Sequence, residues 1–183
     1  MRVGMRSRRS RIAGYTLIEL MTTVAIVAIL LGFAAPAFQE FIVNYRTSVQ
    51  TNDLLADLAL ARSEAVKLAR RSEVRAELGG WTNGWVVGTD LNADGNIDGD
   101  EIIKRHGPAE PDFTIVAGTV AGAPVASIIY GVTGTVVGPA GATNLEVAIC
   151  RPDGDDARSR GIEISQSGRA ASQQAADNAT IRC

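Results

Sequence analysis

The chain has 183 residues, 46% of them hydrophobic and 21% charged, with a formal charge of -2. This gives room for one globular domain plus an appendage, and it excludes a disordered tail and a multi-span membrane protein. Arg2, Arg6, Arg8, Arg9 and Arg11 open the chain without a compensating acid, which leaves 13 basic against 20 acidic residues beyond Gly14 and excludes a general polyanion binder.

From Leu17 to Phe38 the side chains are almost all apolar, and Glu19 is the one ionisable residue among them. About 20 helical residues suffice to cross a ~30 Å hydrocarbon layer. The arginines precede this run, so the positive-inside rule places the N-terminus in the cytoplasm and everything after Phe38 outside. An ordinary secretory signal would be cut after the apolar run, but Pro36 makes Ala34–Ala37 a poor peptidase site. Cleavage before the run is the better reading. A carboxylate in a bilayer costs at least ~2.5 kcal/mol and normally marks a function; the alternative is a side chain that snorkels to the interface. Pro36 removes a helical hydrogen bond and should kink or locally melt the helix.

The segment Gly14-Tyr15-Thr16-Leu17-Ile18-Glu19-Leu20 resembles the class III signal of type IV prepilins and pseudopilins. The resemblance implies that a prepilin peptidase cuts between Gly14 and Tyr15 and methylates the new N-terminus. Tyr15 departs from the usual phenylalanine. It also implies that Glu19 pairs with the N-terminal amine of a neighbouring subunit during filament assembly. The expected organisation is a leader over residues 1–14, a membrane and filament-core helix over 15–38, and a head over 39–183. That head comprises a helix to residue 74 and a β-rich part from 75. Localisation follows: single-pass in a bacterial inner membrane with the head in the periplasm, then in a pilus or pseudopilus.

Beyond the apolar run, Leu54, Leu58, Ala61, Ala65 and Leu68 form one stripe at helical period, with Asp57, Arg62, Glu64, Lys67 and Arg71 off it. Short β-rich runs punctuated by Gly, Pro and Asn then predict strands at 73–78, 84–89, 101–105, 113–117, 125–130, 134–137, 145–149 and 160–165. The fold class is α+β, a long N-terminal helical spine packed against an antiparallel sheet. Trp81 and Trp85 flank the Asn83-Gly84 turn, one expected in the core and one partly exposed. His106 is expected at the surface.

A narrower resemblance rests on four blocks: 58–67 (LALARSEAVK), Gly84-Trp85-Val86-Val87, Glu101-Ile102-Ile103, and Cys150 followed by Arg160-Gly161-Ile162-Glu163-Ile164-Ser165 and Ser167-Gly168-Arg169. They resemble the GspH/FimT/FimU branch, which holds minor pilins of type IV pili and a minor pseudopilin of type II secretion. The implied function is a minor pilin that helps assemble a pilus alongside other pilins. The alternative is a type II secretion pseudopilin, and a DNA receptor for transformation is a reading of another class.

Three constellations are candidate sites. The run from Asp90 to Glu101 matches the calcium-loop pattern D-x-[DN]-x-[DN]-G-x5-E: Asp90, Asn92, Asp94, Asn96, Asp98 and Glu101 would be ligands, and Gly95 would permit the turn. A solvated hairpin loop is the competing reading. Cys150 and Cys183, an even pair in an exported protein, predict one disulfide worth about 3–4 kcal/mol in the chain-entropy model. Arg158, Arg160 and Arg169 are candidate DNA contacts. FimT-like proteins carry a Gly-Arg-x-Arg motif, and here the match is Gly168-Arg169-Ala170-Ala171, without the second arginine. The segment is formally neutral and offers no aromatic for base stacking, so DNA is not the favoured partner. No P-loop, nucleophile elbow, HExxH or dinucleotide fingerprint is present, and no catalysis is expected.

Overall fold

The structure, a computed structural model, describes residues 14–138, 144–174 and 183. It divides into two compact units, one ending at Phe41 and the other running from Ile42 to Cys183. A single α-helix, α1 (Leu17–Leu68), contributes to both. The helix is unbroken at Pro36, so the expected local melting does not occur. It ends at Leu68, the last residue of the apolar stripe and six residues before the expected helix end at 74. Ala69 adopts a left-handed conformation (φ 51°), and the Arg70 N–H reaches back to the Ala65 carbonyl at 3.2 Å, a Schellman-type stop.

Among the described residues eight strands follow in the second unit: β1 (Ser72–Ala76), β2 (Trp85–Thr89), β3 (Ile102–His106), β4 (Thr114–Thr119), β5 (Ser127–Tyr130), β6 (Leu145–Cys150), β7 (Arg160–Ile164) and β8 (Ala170–Gln174). They form two four-stranded antiparallel sheets, ordered β3-β2-β1-β5 and β4-β6-β7-β8. Val136 makes only an isolated bridge to Tyr130, so the strand expected at 134–137 does not form. Strand β8, with the sequence AASQQ, was absent from the expectation because it carries no β-branched or aromatic residue. It exists because its backbone pairs with β7, from Arg160↔Gln174 to Ile164↔Ala170. The edge strand β3 carries Lys104 and Arg105, charges of the kind that discourage further strand addition.

Leu54, Leu58, Ala61 and Ala65 are fully buried against Val74, Trp85, Val87, Ile128 and Tyr130 of the first sheet and Val147, Ile149, Ile162 and Ile164 of the second. Burial of each Leu or Ile contributes about 1.5–3 kcal/mol, so this two-sheet core fixes where the head's surface groups stand. Leu68, the last member of the predicted stripe, is 41% exposed. Both tryptophans are buried, correcting the split expected for them: the Trp81 indole donates to the Val125 carbonyl at 2.7 Å.

Candidate functional site

The N-terminal unit presents an exposed entry to its helix. Gly14 to Thr16 lie outside the helix, Tyr15 is 85% exposed, and beyond the chain neighbours no heavy atom of the described residues stands within 4 Å of where a Gly14 side chain would begin. The expected scissile bond is therefore open and non-helical, while residues 1–13 of the leader lie outside the described residues. The Thr16 hydroxyl accepts a bond from the Glu19 N–H at 3.3 Å, which makes Thr16 the N-cap and Glu19 the acid three positions on. This is the first half of a capping box, with the acid favourably placed at the positive end of the helix dipole. From Leu17 to Phe38 the large apolar side chains are exposed. Such a surface calls for a lipid or protein surround.

In the second unit, several carboxylate oxygens of the 90–101 loop accept from backbone amides, but one oxygen of the buried Asp90 carboxylate has no partner. One Glu101 carboxylate oxygen accepts from the Leu91 and Asn92 N–H groups at 2.7 and 3.1 Å, and the other accepts from Asp98 N–H at 3.1 Å. Asp90 accepts from Gly95 N–H, and Asp94 from Asn96 N–H. Gly95, at φ 88°, makes the expected turn. Arg75 donates to the Ile97 carbonyl, and the Arg71 guanidinium lies 3.8 Å from where a Gly95 side chain would start. Both arginines are ion-paired with Glu73, at 3.1 Å each, so it is backbone amides that meet the loop's carboxylates. Glu101, the expected bidentate ligand, is already spent on amides. Among the described residues no group of three or more acidic, His or Cys side chains gathers to hold a metal. As folded, Glu101 closes the loop on its own amides, while the partnerless Asp90 oxygen leaves one coordinating atom unspent.

The predicted disulfide is present, joining Cys150 at the end of β6 to Cys183. The three candidate arginines are not gathered. Arg158 pairs with Asp155 at 3.2 Å just before β7, and Arg160 begins β7. Arg169 lies in the turn at the far end of that strand, roughly 13 Å away by the rise of four residues. Arg151 is buried in a bidentate pair with Asp153 and a bond to Asn44, and its guanidinium holds the Asp153 carboxyl below the usual range. Gly168 has a packing reason of its own. Its φ is 80°, and a side chain there would start 1.9 Å from the Gly134 carbonyl oxygen. Arg62 donates to both the Gly134 and Ser167 carbonyls, at 3.0 and 2.9 Å, tying these two turns to the helix.

One residue set off the apolar stripe in the sequence proves central. The Asp57 side chain, 1% exposed, accepts from the Trp85 indole N–H at 2.9 Å and from Lys104 at 2.6 Å. His106 stacks on Trp85 with ring centres 4.0 Å apart and places its Nδ1 3.9 Å from Asp57, so it is not a bare surface residue. The sequence held a signal for this. Asp57 stands three residues after Leu54 and one before Leu58, on the same face at the i+3 spacing, and a buried tryptophan needs an acceptor.

The model of the family described as type II transport protein GspH matches residues 50–168, about two-thirds of the chain. The chain belongs to this family. A second model, the prokaryotic N-terminal methylation motif, matches residues 9–35. Among solved structures, the type IV minor pilin FimU of Pseudomonas aeruginosa is 27% identical, with TM-score 0.58, covering 72% of this chain and 92% of that one. The minor pseudopilin EpsH of the Vibrio cholerae type 2 secretion system is 14% identical, with TM-score 0.52, covering 70% and 97%. The second likeness is one of fold alone. A type IV major alpha-pilin of Moraxella bovis is 36% identical over 74 residues, and the match spans 46% of its length. The GspH-family chain thus has the pilin fold, an apolar N-terminal helix with a methylation motif and a Cys150–Cys183 disulfide. Members of the pilin and pseudopilin families assemble with other pilins in filaments.

Proposed function

We propose that this GspH-family chain is a minor pilin of a type IV pilus, taking part in pilus assembly and priming rather than in catalysis. The observation that carries the choice is the likeness to the minor pilin FimU. It combines 27% identity with 92% coverage of that chain, whereas the secretion pseudopilin shares only the fold. In this reading a prepilin peptidase cuts between Gly14 and Tyr15 and methylates Tyr15, the 15–38 segment anchors the chain in the inner membrane, and the head folds in the periplasm. The exposed, non-helical bond at Gly14 supports the first step.

Glu19 then acts twice. It sits favourably at the N-terminus of its own helix, and its carboxylate compensates the methylated amine of an incoming neighbour in a setting without water. Mass spectrometry of protein from its native host tests the processing: a chain that begins with N-methylated Tyr15 is expected, and one that begins at Met1 overturns it. Deletion of the gene, scored separately for twitching and for enzyme export, tests the machine. Loss of twitching with intact export is expected, and the reverse transfers the chain to the secretion alternative.

A further inference from the structure

The loop between β2 and β3 carries more negative charge than its surroundings balance. Asp90, Asp94, Asp98, Asp100 and Glu101 lie in a run, 90–101, that holds no lysine, arginine or histidine. The cations nearest in sequence are committed elsewhere: Arg71 and Arg75 to Glu73, Lys104 to Asp57, and Arg105 to Glu77. Backbone amides supply only partial charge.

Asp90 adds an independent observation. It is 5% exposed, and its Oδ2 accepts from the Gly95 N–H across the loop, so the carboxylate faces the loop interior. Its Oδ1 has no hydrogen-bond partner. Buried polar atoms are almost always paired, and an unmet charged one is costly. At the other end of the loop, Glu101 Oε2 accepts the Asp98 N–H, and a carboxylate oxygen has room for a second partner. Between these two buried anchors Asn92, Asp94, Asn96 and Asp98 are exposed, so their side chains can turn inward without crossing the core. Every donor is an oxygen, the set a hard divalent cation takes. Calcium accepts roughly six to eight oxygens in flexible geometry, whereas magnesium demands a stricter octahedron and holds its waters.

We propose that this loop binds one calcium ion. Asp90 Oδ1 and Glu101 Oε2 are the fixed ligands, and Asn92, Asp94, Asp98 and the Asn96 carbonyl close round the ion. Glu101 keeps its Oε1 on the Leu91 and Asn92 amides, so it coordinates through one oxygen rather than two. Among the described residues the acids do not meet as a cage, and Asp90 Oδ1 is shut off from solvent. Entry therefore needs the 91–94 segment to lift. Those residues are exposed, and their bonds run within the loop. Binding fixes more than the loop itself. Ile97, 5% exposed, fills the space where a Gly88 side chain would stand, and its carbonyl accepts from Arg75. Gly88 alternates with the core residue Val87, so the ion clamps the loop over the face of the first sheet turned away from the core. The site does not depend on which filament holds the chain.

Isothermal titration of calcium into the chelator-treated, detergent-solubilised full-length protein should show one site with a dissociation constant below about 1 mM. About 2 mM calcium should raise the melting temperature by several degrees over chelator, and the same concentration of magnesium should not. Asp90→Asn keeps the shape and one oxygen and should weaken binding at least about tenfold. Where that buried change prevents folding, the exposed Asp94→Asn decides, with an expected loss of about fivefold. Asp100→Asn removes an acid outside the ligand positions and should leave the affinity within about twofold.

Overlapping melts without binding heat overturn the proposal, as does undiminished affinity in Asp90→Asn or, where that variant does not fold, in Asp94→Asn. An equal response to magnesium also overturns it. So does a loss in Asp100→Asn as large as in Asp94→Asn, because that marks diffuse acidity rather than a cage.

Discussion

Replacing Asp57 by alanine tests whether the buried acid holds the helix to the first sheet. The carboxylate is 1% exposed and Trp85 is fully buried, so its removal strands the indole N–H without water or a substitute acceptor. That costs about 1–3 kcal/mol. Lys104 behaves differently: its side chain is 46% exposed, so its ammonium turns to solvent, and the ion pair adds no more than about 1 kcal/mol. The sum is roughly 1–4 kcal/mol. At about 3 °C per kcal/mol for a domain of this size, the melting temperature should fall by roughly 3–12 °C. A fragment starting at Ile42 serves for the measurement, because every core residue lies within the second compact unit.

Two companion variants separate the partners. Asp57→Asn retains an acceptor for the indole and should cost about 1 kcal/mol. In the Asp57→Asn background Lys104→Met should cost less than about 1 kcal/mol, whereas alone it strands a buried carboxylate and should cost about 3 kcal/mol or more. If Asp57→Asn destabilises as much as Asp57→Ala, the ion pair carries the energy and the assignment to the indole is wrong. A fall of less than 2 °C in Asp57→Ala would refute the whole account.

Other outcomes follow from the same geometry. Gly168→Ala should destabilise the head by about 2–4 kcal/mol in denaturant titration, through left-handed strain and the clash with the Gly134 carbonyl. Arg169→Ala next to it should change stability by less than about 0.5 kcal/mol. The head should fail to shift duplex DNA at about 50 mM salt, since Arg158 is paired with Asp155 and Arg169 lies at the opposite end of β7 from Arg160; a shift weakened by Arg169→Ala would restore the DNA-receptor reading.

Alkaline stability supplies a further test. Burial pushes the Tyr130 hydroxyl up to about 12 from the ordinary 10.0. The folded state therefore holds this proton while the unfolded chain loses it. The associated stability is complete below pH 10 and is lost as pH rises towards 12, at up to about 1.4 kcal/mol per pH unit. Tyr130→Phe should flatten that part of a stability-versus-pH curve measured in urea, and an unchanged slope would refute the burial argument.

The apolar run, the acid at Glu19 and the basic leader were legible without coordinates, because a helix that must meet lipid or other helices declares itself in composition and local order. The same holds for the helical stripe from Leu54 to Ala65 and for most strands, whose alternating or continuous apolar residues are local signals. The cysteine pair likewise announced its disulfide. Tertiary structure decided what depends on distant partners. Strand β8 exists because β7 offers it a ladder, and Asp57 is buried because Trp85 and Lys104 meet it from the first sheet. The acidic loop closes on its own amides because backbone geometry aims those amides inward. Gly168, which in the sequence belonged to an arginine motif, is fixed by the approach of the Gly134 carbonyl from another turn. Hydrophobic period is written into neighbouring residues, whereas the partners of a buried polar group are chosen only when remote segments come together.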